Sequence, residues 1–413
     1  MATHTEKNIL LDTETARELF WEGAQSLPVC CFGKNRVVAP TNVTELIFPT
    51  DEKRKTIFRL CGADEACACG KASDYEVFRA LCSCAEALAG HPFLLQCQIV
   101  LNSLFDCDLL ICPDHCDEIW RVTADLLSTK DIYRRLPLSI RCFSDGQGSL
   151  SPAELISTDS ACLGEGIRKL EAFADREIKD LSCLCSALSR LLDDIEKDKT
   201  YADPADLTAL TDFTPPNEYE ADQALKAVLR GEGADMDQRQ KSMLRNQLLR
   251  VLGQECQKRG LPLTLLISGA DMTSLSKLLH YLEKADALPR TVLLVGDGEE
   301  PTALATLCCE FEGINGSSRV SICLTDWATQ SPEQLERRIG EFAACFGIGN
   351  LMALSCNKHV LTAYCEQEYF KRVFCRWLGR QIEGGLLLGD TALYFRLLYR
   401  VFVSNVCQIW DME

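Results

Sequence analysis

The stretch PLTLLISGADMTSLSKLLHYLEKADALPRTVLLVGDGEE, residues 262–300, decides the fold. Two short runs, PLTLLIS and RTVLLVG (290–296), flank a helical pattern over 273–285. Runs that are apolar at almost every position suit strands covered on both faces, as in a parallel sheet. The pattern continues on both sides. Upstream, Met243, Leu244, Leu248, Val251 and Leu252 line one face of a helix predicted over 237–259, and Gly260 stops it. Downstream comes a helix around 301–311, then strand RVSICLT (319–325). The next helix opens at Ser331-Pro332 with Gln334 in the capping-box position. Strand NLMALS (350–355) precedes helices over 359–382 and 390–409. Four strand–helix units of roughly thirty residues imply parallel strands joined by right-handed crossovers. GDGEE, GEGAD and GIGN are turns that lack the strand–GxGxxG–helix setting of a dinucleotide site. The back half of a (β/α)8 barrel fits better than an open sheet.

The first half is less regular. A helix is expected over 10–26, then a buried strand in LPVCCFGKN (27–35), whose Gly33, Lys34 and Asn35 stand where a barrel strand meets its loop. Residues 42–130 hold no convincing strand: DEKRKTIFRLCG, SDYEVFRALCSCAEALAG, PFLLQCQIVLNSLFD and PDHCDEIWRVTADLL read as four helices punctuated by Gly62, Gly70 and Gly90. They form a helical insertion after the first strand. PLSIRCF (137–143) is a strand candidate, SPAE (151–154) a capping box, and helical pattern runs on to about Lys197. Residues 200–220 read as irregular, so the barrel is expected to be distorted across 144–215. The chain is expected to be one barrel domain over 1–413 with the insertion at 42–130 inside it.

Composition narrows the function. The net charge of −17 argues against a nucleic-acid backbone binder, which needs positive surface. No apolar run reaches membrane-span length, and the polar N-terminus lacks a signal-peptide core, so a cytoplasmic protein without a membrane partner is expected. The twenty-four cysteines read as small buried hydrophobes of a reducing compartment. The C-x-C pairs 67/69, 82/84 and 183/185 are too closely spaced for a usual zinc site, and CPDHC (112–116) is better explained as a helix start.

Segment order and wording resemble the uronate isomerase (glucuronate isomerase) family of the amidohydrolase superfamily. LLDTETARELFWEGAQSLPV resembles the family's N-terminal helix and first strand. PTNVTELIF, FRLCGADE and SDYEVF resemble its early helical insertion. From ALPRTVLLVGD (287–297) through DWATQSPEQLERRI and EYFKRVFCRWLGRQIEGG the similarity is nearly continuous. The resemblance implies a distorted (β/α)8 TIM-type barrel. It also implies aldose–ketose interconversion of hexuronates such as D-glucuronate and D-galacturonate, aided by a divalent metal, zinc or manganese.

Position by position, the resemblance places unlike residues at the chemistry. Cys31, Gly33 and Asn35 fall on the family's Asp-x-His-x-His strand end. Glu52 and Lys53 fall on its His-Tyr pair, Ile267 on a strand histidine, and Asn357 and His359 on the aspartate and arginine of a Thr-Asp-Ser-Arg run. Trp327 and Arg59 keep family identities. A glycine offers no donor atom and a lone asparagine is a poor transition-metal ligand. An amide does not titrate, so Asn357 is no base. No cofactor is therefore expected. The ligand-binding candidates are Trp327, Arg59, Lys34 and Asn35, serving a sugar acid at the barrel mouth, and a homo-oligomer is expected. Against these stand plainer readings: a solvated loop lysine, a packed aromatic and a helix-start histidine. A replacement Cys/His site at Cys31, Cys323, Cys356 and His359 is a further option. The expectation is a family member without the metal chemistry; the alternative is an active isomerase working with non-standard residues.

Overall fold

Local side chains set the helix starts. In the computed structural model, Thr13 Oγ1 accepts from Ala16 N at 3.0 Å and opens α1 (Glu14–Glu18). The structure describes residues 8–32, 40–48, 50–128, 132, 140–143, 155–156, 160–198, 205–207, 210–296, 300–311, 318–324, 330–355 and 360–409. The chain divides into two compact units, one of residues 1–142, 326–340 and 353–404, the other of 143–325, 341–352 and 405–413.

In the first unit, the helix expected over 10–26 changes pitch. After α1 it widens into a π-turn at Leu19–Gly23 and tightens into a 3-10 turn at Ala24–Ser26. Gly23 there lies so close to the Phe395 ring that a Cβ would meet it at 2.7 Å. Strand β1 (Val29–Phe32) pairs with β2 (Ile140–Phe143). Between them run α2 (Val43–Ile47), α3 (Asp51–Cys61), α4 (Glu65–Ala68), α5 (Asp74–Ser83), α6 (Pro92–Phe105) and α7 (Cys116–Ser128). Ser73 and Glu76 form a capping box on α5, and Gly62 ends α3 in the left-handed conformation. Phe48, Phe58, Phe78, Phe93 and Leu101 share one core with Cys67, Cys82, Cys97 and Cys116, so these cysteines behave as buried apolar side chains.

From residue 160 onward, helices come first and then strand and helix alternate. Helix α8 (Ser160–Ala174) is separated from α9 (Leu181–Asp198) by a break at which Asp175 takes a φ of 49°. The helical pattern expected up to about Lys197 is formed by these two helices; the SPAE box lies outside the described residues. Residues 200–220, read as irregular, contain strand β3 (Ala205–Asp206) and the start of α10 (Glu218–Leu229). Then follow α11 (Gln238–Arg259), β4 (Leu263–Leu266), α12 (Met272–Lys284), β5 (Thr291–Val295), α13 (Pro301–Cys309), β6 (Val320–Leu324), α14 (Pro332–Phe346) and β7 (Leu351–Met352). The five strands β3 to β7 lie in chain order, each parallel to the next. Register puts Ala205, Leu265, Leu293, Ile322 and Leu351 in one row across the sheet, all buried.

Among the described residues the parallel sheet has five strands, not eight. Helices α15 (Val360–Glu383), α16 (Thr391–Tyr399) and α17 (Asn405–Ile409) complete the chain. No helix among the described residues is long and apolar enough to cross a membrane.

Candidate functional site

The carboxyl ends of parallel strands are where a barrel of this kind places its chemistry. Here Ile267 directly follows β4, β5 runs out at Val295, β6 at Leu324 and β7 at Met352, and each of these is at most 2% exposed. Ile267 N donates to Leu294 O at 3.1 Å, so the backbone pairing carries this residue past the end of β4. The row before it reads Asp206, Leu266, Leu294, Cys323 and Met352 across the sheet. Asp206 is exposed and Cys323 buried. No group of three His, Cys, Asp or Glu side chains among the described residues is arranged to hold a metal ion. The sequence supplies Gly33, Asn35 and Asn357 at the other positions in question, and none carries an imidazole or a carboxylate.

Of the site residues read from the sequence, Lys34, Asn35, Trp327, Asn357 and His359 lie outside the described residues, as do Cys356 and the side chain of Cys31. Glu52 and Arg59 are exposed on α3. Arg59 pairs with Glu65 at 2.6 Å in a solvated ion pair, so the described structure supplies no ligand for it beyond that carboxylate. The histidines on the helices have structural roles. His91 Nδ1 accepts from Phe93 N at 3.1 Å as the cap of α6, and His280 faces Glu310 at 3.3 Å. His115 Nδ1 lies 3.4 Å from Cys112 Sγ, at the helix start read from CPDHC.

Lys53 has a different setting. It is half-buried on α3 and lines a cavity of about 390 Å3, its open mouth included. Leu46 and Ile47 of α2, Phe93, Gln96, Cys97 and Val100 of α6, and Thr362, Cys365 and Glu366 of α15 complete the wall. The Lys53 Nζ lies 5.3 Å from the centre of the Phe93 ring. The Glu366 carboxylate accepts from Ser355 Oγ at 2.6 Å. Burial pushes the Cys97 thiol up to about 12, with Lys53 opposing, so it stays protonated and unreactive near neutrality. Gln96, Cys97, Thr362 and Glu366 were not singled out from sequence. The one available signal was the spacing of Phe93, Gln96, Cys97 and Val100 along one helical face, which reads equally as core.

Comparison with known proteins agrees with the fold. A uronate isomerase of Mannheimia succiniciproducens is 22% identical over 98% of this chain and 98% of its own length. The solved uronate isomerase of Thermotoga maritima superposes with a TM-score of 0.82 at 17% identity, covering 98% of this chain and 99% of that one. The glucuronate isomerase of Caulobacter crescentus gives 0.76 at 14% identity, covering 99% and 96%. The architecture is thus an α/β fold with a parallel sheet that matches uronate isomerase structures. The sequence profile of the glucuronate isomerase family matches residues 1–139 and 266–409, well over half of the chain, and the protein belongs to that family.

Proposed function

We propose that this chain keeps the family scaffold, a distorted (β/α)8-type barrel, without metal-dependent isomerisation of hexuronates. The observation that carries this reading is the set of buried apolar side chains at the ends of β4 to β7: Ile267, Val295, Leu324 and Met352. Aldose–ketose isomerisation moves a proton between two carbons beside a polarised oxygen, and it needs a base and an electrophile at the sugar. An aliphatic or thioether side chain is neither. Ile267 stands where the resemblance puts a strand histidine, so the change removes a nitrogen donor outright.

The test is conversion of D-glucuronate and D-galacturonate by the purified chain with zinc or manganese in excess. Rates equal to a heat-inactivated control support the proposal. Turnover that a chelator abolishes overturns it and favours an isomerase working with other residues.

A further inference from the structure

We propose that the thiols of Cys61 and Cys84 are a modification site, which a hydroperoxide converts to a disulfide tying the end of α3 to the end of α5. The site lies in the helical insertion, apart from the strand ends, so it stands or falls independently of the function proposed above. Helix α5 runs out in Cys82-Ser83-Cys84, and its two cysteines meet different neighbours. The Cys84 thiol donates to the Cys61 sulfur, and Cys61 is the last residue of α3. The Cys82 thiol donates to the Cys116 sulfur, at the start of α7. A thiol hydrogen-bonded to a second thiol has its sulfur beside the atom it would bond, which is the first requirement of a disulfide.

Access separates the two pairs. Cys61 is half-buried and precedes the exposed Gly62, and Cys84 is 9% exposed. Cys82 and Cys116 are 0% and 4% exposed. A peroxide in water therefore reaches the first pair, at Cys61, and is shut out of the second. Burial pushes the Cys84 thiol up to about 11, so near neutrality it keeps its proton and Cys61 is the sulfur that reacts first. Both sulfurs lie at helix C-termini, where the macrodipole disfavours a thiolate, so the pair answers to excess peroxide rather than to traces.

The chemistry runs in two displacements. Cys61 gives its proton to solvent and its sulfur attacks one peroxide oxygen. An S–O bond forms, the O–O bond breaks, and the departing hydroxide takes a proton to become water. The product is a sulfenic acid. The Cys84 sulfur then attacks the Cys61 sulfur. The S–S bond forms, the S–O bond breaks, and the leaving hydroxide takes the Cys84 proton as a second water. The two sulfurs together give up two electrons, and the peroxide oxygens receive them. Adjacency offsets the small thiolate fraction of Cys84 in this second step. A dithiol reductant restores both thiols by exchange.

The experiment treats the full reduced chain with excess hydrogen peroxide, blocks the remaining thiols with N-ethylmaleimide under denaturing conditions, and digests with trypsin and a glutamate-specific protease. Mass spectrometry should find fragment 60–65, which carries Cys61, joined to fragment 80–86, which carries Cys82 and Cys84. Fragmentation across Ser83 should assign the link to Cys84. Cys116 should appear alkylated and unlinked. Dithiothreitol before the blocking step should remove the link, and the same oxidation in urea should scatter the links of Cys61 over other cysteines. Cys84→Ser should lose the link and leave the Cys61 sulfenic acid to be trapped by dimedone, several-fold above the natural chain. The link is mapped in the natural chain, so the test survives a variant that fails to fold. The proposal is overturned if Cys61 stays reduced while the exposed Cys345 is oxidised, if Cys61 links to another cysteine instead, or if the native and urea-treated chains give the same pattern.

Discussion

Arg372 sits one turn after Glu368 on α15, their side chains 3.3 Å apart and only 3% and 2% exposed. The guanidinium also stacks 4.5 Å from the centre of the Phe20 ring and donates to Ile9 O at 3.1 Å. Glu368 in turn accepts from Ser103 Oγ at 3.1 Å. Removing one partner of such a pair strands the other charge away from water, which costs about 3 kcal/mol or more. Glu368→Gln should therefore lower stability on that scale in urea unfolding. A change below about 0.5 kcal/mol would mean the pair is solvated and the tie between α15 and the N-terminal segment is weak.

Lys371, next to Arg372 on the same helix, is buried against the Phe402 ring, its Nζ donating to Leu27 O at 2.8 Å. Burial lowers its pKa to about 8, with Glu368 opposing. An unfolded lysine holds its proton to about 10.4, so between these values the unfolded chain binds more protons and stability rises with pH. Below pH 8 the full penalty, roughly 3 kcal/mol, is present. Lys371→Met should be more stable than the natural chain at pH 7, with the gap closing as pH rises from about 8 toward about 10.4. A gap that does not change with pH would contradict this account.

Glu255 on α11 behaves in the opposite sense. Burial pushes its pKa up, but Lys258, Arg259 and Ser189 outweigh that and bring it down to about 2. The stabilisation is present above the unfolded glutamate pKa and is lost as pH falls through the folded value, a contribution on the order of 3 kcal/mol. Glu255→Gln should flatten that part of the acid limb between about pH 4.5 and about 2. An acid limb that is identical in the variant would show that the network with Arg259 and Asp193 contributes nothing net.

Gly253 lies inside α11, where a Cβ would meet Ala287 O at 2.0 Å. That oxygen is backbone and cannot swing aside. Gly253→Ala should cost about 3 kcal/mol despite alanine's better helix propensity. Thermal unfolding checks this, and an unchanged or raised Tm would show that the helix shifts at little cost.

Much of the strand–helix part of the chain was legible because its signals are local. The capping pair read at Ser331 and Gln334 is formed, with Gln334 N donating to Ser331 Oγ at 3.2 Å and Ser331 N to Gln334 Oε1 at 3.1 Å. Gly260 ends α11 at a φ of 68°. Strand β3 was not legible: it is two residues, Ala205 and Asp206, with no alternation to read, and its partner β4 lies far along the sequence at Leu265 and Leu266. The cavity was hidden for a related reason. Lys53, Phe93 and Glu366 carry no spacing signal, because only tertiary packing of α3, α6 and α15 brings them together. The apolar strand ends were visible as letters, but an isoleucine at 267 becomes informative only when its N–H bond to Leu294 O places it just past the end of β4 with its side chain buried.

The central claim is loss of metal-dependent proton transfer, and proton NMR of D-glucuronate in D2O with the full chain and added zinc or manganese tests it most directly. Both loss of the C2 proton signal and appearance of the ketose are followed, so a half-reaction is not missed. The account expects neither above a heat-inactivated control. Enzyme-dependent exchange or conversion that a chelator stops would contradict it.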